Sequence, residues 1–566
     1  MKFIQASLVA VFMAALLYGP ALADTKPAPT PVDSDQLKKT DDAAKDAKSS
    51  ADTAWMLIST GLVLLMVPGL ALFYGGMVRR KNILGTMMHS MVALAIIGIQ
   101  WVLFGYSLAF GDTHGGVWGW STDFLGLQGI LNDVGGTWSH KTYPGTNIPV
   151  LVHCMYQGMF AIITPALISG AIAERIRFGP YCLFILLWAT FVYDPLAHWV
   201  WAVDSKGDPA GWLNKLHALD FAGGTVVHIS AGLSGLAAIL VLRKRIGYPE
   251  HAIHPNSMVL TLTGAGLLWF GWFGFNGGSA LASNGQAGAA LAASQVAAAA
   301  AALSWMLAEW IHRGKPTALG FASGVVAGLV AVTPASGYVT PMGGLAIGLI
   351  AGVVCYGAVC LKPFFKYDDS LDAFGVHGVG GFLGAILTGI FAREIYTQAG
   401  MGNTNAVGVL SEGIGSQVLV QLIACLVSVV FAFVVTYVLV LVIDRTWGFA
   451  LEDRSEIEGL DRSEHGEVGF DYGPTLDMVA ERAALEPRHA DVPPNGYKHF
   501  SVVVEGMKPE QLKEAWSNLC QAGPQPPKPE FKAVYPFVTT VQGNRFNFRG
   551  GDPNAMRDNL TRLFEL

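Results

Sequence analysis

Two histidines stand in surroundings that do not favour them. His228 lies in DFAGGTVVHISAGLSG, residues 220–235, and His377 in FGVHGVGGFLGAILTG, residues 374–389. In each, glycines follow four and seven positions on: Gly232 and Gly235 after His228, Gly381 and Gly384 after His377. An ionisable side chain in an apolar segment costs about 3 kcal/mol or more unless it faces a cavity or a partner. An imidazole donates through one ring nitrogen, accepts through the other and titrates near neutrality. Two facing imidazoles can therefore share a proton and line a narrow path for something small and polar. The structural alternative is a pair of interhelical hydrogen bonds. The duplicated context favours a shared functional axis, and the glycines flatten one helix face for close packing.

Asp220 precedes His228 by eight residues, about two helical turns. It reads equally well as the N-cap of the histidine's helix and as an anion that attracts a cation. Aromatics gather near the ends of several apolar segments: Tyr156 and Phe160, Trp201, then Trp272, Phe273 and Phe275. An interfacial belt accounts for them, and so does a ring cage around a cation, where each ring face contributes about 0.5–2 kcal/mol. Periodicity does not choose between the two. The sequence shows no nucleophile–base pair, phosphate-binding loop or metal-ligand cluster, so no enzyme, metal or cofactor is expected.

The elements that position these residues follow from composition. Hydrophobic residues make up 52% of the 566-residue chain and charged residues only 14%, well below the roughly 25% charged of soluble domains. From Thr53 to Ile443 one apolar run of about 20 residues follows another, the length that crosses a bilayer as a helix. The chain is a polytopic, all-α membrane protein. Eleven spans are expected, near 54–77, 83–110, 149–172, 180–203, 221–242, 257–278, 287–311, 317–336, 342–361, 374–391 and 416–443. Residues 1–23 read as a cleavable signal peptide and 24–52 as a disordered periplasmic tether. The mature N-terminus is then outside, and eleven spans leave the C-terminus in the cytoplasm. Arg79-Arg80-Lys81, Arg175, Arg177, Arg243-Lys244-Arg245, Arg313 and Arg445 all fall inside, as the positive-inside rule requires. None of the six cysteines forms a CxxC pair, and no basic tract points to nucleic acid.

With this topology His228 falls in span five and His377 in span ten, equivalent places in two five-span halves. LALFYGGM (70–77) and WFGFNGGS (272–279) match in the same way in spans one and six. Five is odd, so the halves are inverted, an arrangement that places the substrate path at the midplane between repeats.

ALDFAGGTVVH (218–228), GWFGFNGGSA (271–280), AERIRF (173–178), VTPASGY (332–338) and FGVHGVGG (374–381) together resemble the ammonium transporter family, in its bacterial branch. The resemblance runs from about Trp55 to Gly466 with the motifs in order. It implies an inner-membrane homotrimer with one narrow pore per subunit, in which ammonium is recruited outside and deprotonated before ammonia and a proton cross. On this resemblance Trp201 and Ser279, with Tyr156 and Phe160 nearby, match the recruitment site. Phe160 and Phe275 match a stacked gate, His228 and His377 the proton relay, and Asp220 the acidic support. Tyr156 stands where the family often has phenylalanine, and its hydroxyl is expected to add a hydrogen bond to the cation.

GFALEDRSEIEGLDRSEHGE (448–467) resembles the family's regulatory tail, which implies a PII-type signalling partner; Glu458, Gly459, Asp461, His465 and Gly466 carry that match. The transporter region closes at 445 and the tail spans 446–472. Beyond it, 473–496 reads as a linker and 497–566 as a small α+β domain in the order β-α-β-β-α, which suits a ferredoxin-like sandwich. In that domain Leu512, Trp516 and Leu519 share a helix face, and a hairpin turns at Gly543-Asn544. The rival reading, an ammonium sensor with little transport, rests on this extra domain alone.

Overall fold

A computed structural model describes residues 34–134, 137–250, 253–393 and 413–470, and towards the C-terminus 499–504, 508–521, 530, 534–535, 538–542, 545–549 and 552–564. The expected signal peptide, the first part of the tether, the linker and the Gly543-Asn544 turn lie outside the described residues. The chain divides into two units, Met1–Asp471 and Tyr472–Leu566.

The first unit is a helix bundle. Among the described residues ten helices are long and apolar enough to cross a membrane: α1 (Ser34–Met77), α2 (Arg80–Phe110), α3 (Val150–Ile172), α4 (Phe178–Trp201), α5 (Gly224–Val241), α6 (Met258–Gly278), α7 (Gly285–Arg313), α9 (Pro341–Phe365), α10 (Phe374–Phe391) and α11 (Ile414–Trp447). Between α7 and α9 lies α8 (Ala318–Val332), an apolar helix of 15 residues. It stops short of the expected 317–336 because Thr333–Tyr338 turn back on themselves. Helices satisfy their backbone groups internally, which a hydrocarbon setting demands.

The disordered tether is corrected from Ser34 onward. Residues 34–52 are helical and run without a break into the first apolar stretch, giving a helix of 44 residues. The segment contains neither glycine nor proline. Alanines and lysines propagate helix without an apolar face, and Lys48 pairs with Asp52 at four-residue spacing.

Helices α1 and α6 lie side by side. Trp55 Nε1 donates to the Gly277 carbonyl at 3.1 Å, and at the other end Asn256 Nδ2 donates to the Gly75 carbonyl at 2.6 Å. Both histidine segments begin as π-helix, Gly224–Ile229 in α5 and Phe374–Gly378 in α10. Wide turns of this kind recur at functional sites. After α11 the tail forms two short helices, α12 (Asp453–Glu458) and α13 (Leu460–His465).

The second unit has strands β5 (His499–Val503), β6 (Val538–Gln542) and β7 (Arg545–Arg549), with helices α14 (Pro509–Gln521) and α15 (Pro553–Leu563). Strands β1 to β4 are two short hairpins within 112–140 of the first unit. The sheet order is β5-β7-β6, with β7 antiparallel to both neighbours. Phe546 and Phe548, from the basic-aromatic RFNFR stretch, are buried with Leu512 and Leu560. Trp516 and Leu519 pack against that core on the expected helix face.

Candidate functional site

His228 and His377 meet in the middle of the bundle with Nδ1 atoms 3.3 Å apart, ring centroids 5.3 Å apart and planes 22° from parallel. Both rings are buried. The repeated glycine spacing explains how they meet. A Cβ on Gly232 would fall well inside contact distance of the Gly378 backbone and 3.0 Å from the His377 carbonyl carbon. A Cβ on Gly381 would lie 2.9 Å from the His228 Cβ. Each helix therefore lays its glycine against the other's histidine segment, and the two backbones approach closely.

A bond between two Nδ1 atoms requires one neutral ring to donate and the other to accept. The donating ring then has a bare Nε2, and the accepting ring carries its proton there. One imidazole thus keeps a free acceptor and its neighbour a free donor. Among the described residues His228 Nε2 has no hydrogen-bond partner, and His228 lines an apolar space of about 10 Å³, no larger than one water molecule requires. Phe275, Trp272 and Leu268 line that space with both histidines. Trp272 lies beside His228 at 5.6 Å and is fixed by Nε1 donating to Thr333 Oγ1 at 2.9 Å, so it belongs to the wall of that space.

Phe275 stacks on Phe160 at 4.1 Å and 27°. Phe160 also lines a second cavity of about 520 Å³, which Trp201, Ser279, Asp220, His153 and Gln157 border. The stacked pair stands between this vestibule and the histidines. Trp201 meets Phe160 edge-on at 6.1 Å, and its Nε1 donates to the Asp220 carbonyl at 2.8 Å.

Asp220 caps the π-helical start of α5. Its Oδ1 accepts from the amides of Gly223 and Gly224 at 2.8 and 2.6 Å; its Oδ2 accepts from Thr225 N at 2.8 Å, Val226 N at 3.3 Å and the Thr225 hydroxyl. The capping role is present, and Asp220 is among the residues that border the vestibule. Asp369 does the same eight residues before His377, accepting from Ala373 N at 3.1 Å and Phe374 N at 2.8 Å. The same eight-residue spacing stands in the sequence before both histidines.

The expectation for Tyr156 is corrected. Its hydroxyl lies 2.9 and 2.7 Å from the carbonyls of Gly274 and Phe275 and 3.2 Å from Ser279 Oγ, and it is fully buried. It ties α3 to the end of α6 and does not border the vestibule, whereas Ser279 does. His153 is the vestibule residue that sequence reasoning missed. Its ring stacks on Tyr143 at 3.5 Å and its Nδ1 meets the Tyr106 hydroxyl at 3.0 Å. No spacing signal marks it, because Tyr143 comes from a separate loop.

At the other end of the bundle the tail docks on the loops. Asp461 Oδ1 accepts from Gly85 N, and Asn82 Oδ1 accepts from Leu460 N, both at 2.9 Å. Gly459 holds φ at 102°, and a Cβ there would meet Lys81 at 2.6 Å. Gly466 ends α13 in the left-handed region, and the His465 ring lies edge-on to Phe178 at 4.8 Å. Glu458 is exposed, whereas neighbouring Glu456 is buried and bonds to Ile246 N at 2.7 Å and Arg243 at 2.8 Å.

Beneath the tail, buried Glu174 accepts from Arg79 N, Arg79 Nε, Asn82 Nδ2 and Arg245 within 3.0 Å. Burial alone would raise its carboxyl, but the two guanidiniums and the donors outweigh this and hold it at about 2.

A profile of the Ammonium Transporter Family matches residues 54–470. An ammonium transporter of Mycobacterium tuberculosis is 46% identical over 448 residues, 77% of this chain and 92% of its own length. One from Bacillus subtilis is 46% identical over 420 residues, covering 74% and 98%. The crystal structure of Saccharomyces cerevisiae Mep2 superposes with TM-score 0.62 at 35% identity, over 71% of this chain and 88% of that one. The structure of a sensor Amt protein gives 0.67 at 27%, over 74% and 99%. The stacked phenyl pair, the twin histidines and every vestibule residue named above lie inside the matched region, and the chain belongs to the ammonium transporter family.

Proposed function

We propose that this chain carries ammonium across the cell inner membrane by taking its proton off at the vestibule and passing ammonia and the proton separately along the histidine path. One observation carries the reading: the stacked Phe160–Phe275 pair stands between a polar vestibule and a narrow apolar space at His228 and His377. Ammonium gathers against the ring faces of Trp201 and Phe160, where a desolvated cation gains about 2 kcal/mol, with Ser279 Oγ as acceptor. The anchored Asp220 carboxylate supplies fixed negative charge at the same wall. An unpaired ion is too costly in the dry path beyond the rings. A neutral ammonia molecule is not, and the histidine pair offers both a donor and an acceptor for the proton.

In this reading α8 counts as an eleventh span, the two five-helix halves are inverted, and three copies assemble, each with its own path. The signal peptide is removed, the vestibule faces the periplasm, and the tail faces the cytoplasm as the contact for a PII-type protein. The β5-β7-β6 order fits a ferredoxin-like regulatory domain.

An ammonium pulse applied to proteoliposomes tests the proposal. Wild type should give a saturable current, and the paired His228→Asn and His377→Asn variant should lose at least tenfold. Full current in that variant, or none from well-folded wild type, overturns it; the second result favours a sensor.

A further inference from the structure

The vestibule is closed on one side by a segment from outside the bundle. Lys48, on the hydrophilic extension of α1, lines the cavity. Its Nζ lies 3.1 Å from Asp52 Oδ2. Asp52, itself buried, also accepts from Asn147 Nδ2 at 3.3 Å, Ser283 N at 2.9 Å and Ser283 Oγ at 3.1 Å. Ser49 Oγ adds a bond to the Asn147 carbonyl at 2.8 Å. The helical extension, the loop carrying Asn147 and the loop that follows Ser279 are thus knotted at one carboxylate. Among the described lining residues, Lys48 and Asp220 are the only lysine, arginine, aspartate or glutamate. The Asp220 carboxylate is covered by amides, so the Lys48–Asp52 pair is the adjustable charge at the mouth.

We propose that this pair is an electrostatic gate: Lys48 offsets the Asp52 carboxylate and sets how strongly small cations accumulate in the vestibule. The inference rests on reading that cavity as the ammonium recruitment site. Removing the lysine charge leaves an anion at the rim, and neutralising Asp52 leaves a cation. One unit charge about 10 Å away in water changes local cation occupancy about twofold. The effect is large where the Debye length is about 30 Å and absent where it is about 3 Å, near 0.01 M and 1 M salt.

The test reads the vestibule potential without transport. Ala282, which also lines the cavity, is replaced by cysteine in a Cys520→Ser background. Modification by a cationic and by a neutral methanethiosulfonate is timed by mass spectrometry of the peptide carrying position 282. At low salt Lys48→Met should raise the cationic-to-neutral rate ratio about twofold, and Asp52→Asn should lower it. Both differences should vanish at high salt. Equal ratios in all three proteins overturn the proposal, as do differences that persist at high salt, which are steric. Half-saturating ammonium in the uptake assay, without the cysteine, should fall in Lys48→Met and rise in Asp52→Asn. Rates that order as expected while half-saturation stays fixed support the gate and overturn the recruitment reading.

Discussion

Replacing Gly232 with alanine tests whether the glycine spacing is what brings the histidines together. The new Cβ lands on the Gly378 backbone and 3.0 Å from the His377 carbonyl carbon, with no flexible side chain to yield. Ordinary contact requires the helices to part locally by about 1 Å, and overpacking of this kind costs about 1–3 kcal/mol. The Nδ1–Nδ1 separation starts at 3.3 Å, so the same displacement carries it beyond hydrogen-bonding range. Gly232→Ala should lower the melting temperature by several degrees and the ammonium current by about tenfold, although no group that titrates has been touched. Gly381→Ala, whose Cβ would press on the His228 Cβ at 2.9 Å, should act in the same direction. The assay is a thermal melt of purified protein paired with the pulse current. Full current from a Gly232→Ala protein that melts normally would refute the reasoning, because the histidine geometry would then not depend on that approach.

Three other outcomes are expected. Tyr156→Phe should keep its half-saturating ammonium concentration within about twofold while losing about 1–2 kcal/mol of stability, since its hydroxyl serves α6 and Ser279; a tenfold rise in half-saturation contradicts this. Glu174→Gln should cost about 3 kcal/mol, judged from a carboxyl that moves from an ordinary 4.5 to about 2 on folding. Because the folded value is depressed, that stability is fully present above pH 4.5 and disappears as pH falls towards 2. The melting-temperature gap to wild type should therefore be constant from about pH 8 to pH 5.5 and shrink in more acidic buffer. Gly459→Ala places a side chain at φ 102° against Lys81 and costs about 1–2 kcal/mol of tail docking. Limited proteolysis should cut the tail about tenfold faster, and an unchanged rate counts against the docked geometry.

Features set by short-range spacing were readable in the sequence. The HxxxGxxG repeat encodes the mutual approach of α5 and α10, so the histidine pair and its partners could be named together. Asp220 is ambiguous in the sequence because one residue both caps α5 and lines the vestibule. Asp369 carried the same eight-residue signal and was lost among the charges of an interhelical loop. The role of Tyr156 is not legible in the sequence, because a hydroxyl's direction depends on the α6 backbone it reaches, which no pattern in α3 specifies. Glu456 owes its role to a loop about 210 residues away, and His153 to Tyr143 and Tyr106, which stand at no helical spacing from it. Residues 34–52 lack large apolar side chains apart from Leu37, a pattern that suggests a tether although their alanines and lysines favour helix. Their helix continues from a nucleus that the apolar part of α1 provides.

The central claim is that the cation must shed its proton to pass the stacked rings. Potassium matches ammonium in charge and is close in size, but has no proton to give up. The most direct measurement applies equal ammonium and potassium pulses to the same wild-type proteoliposomes. A saturable ammonium current with no potassium current is the predicted result, and a potassium current of comparable size would contradict the account.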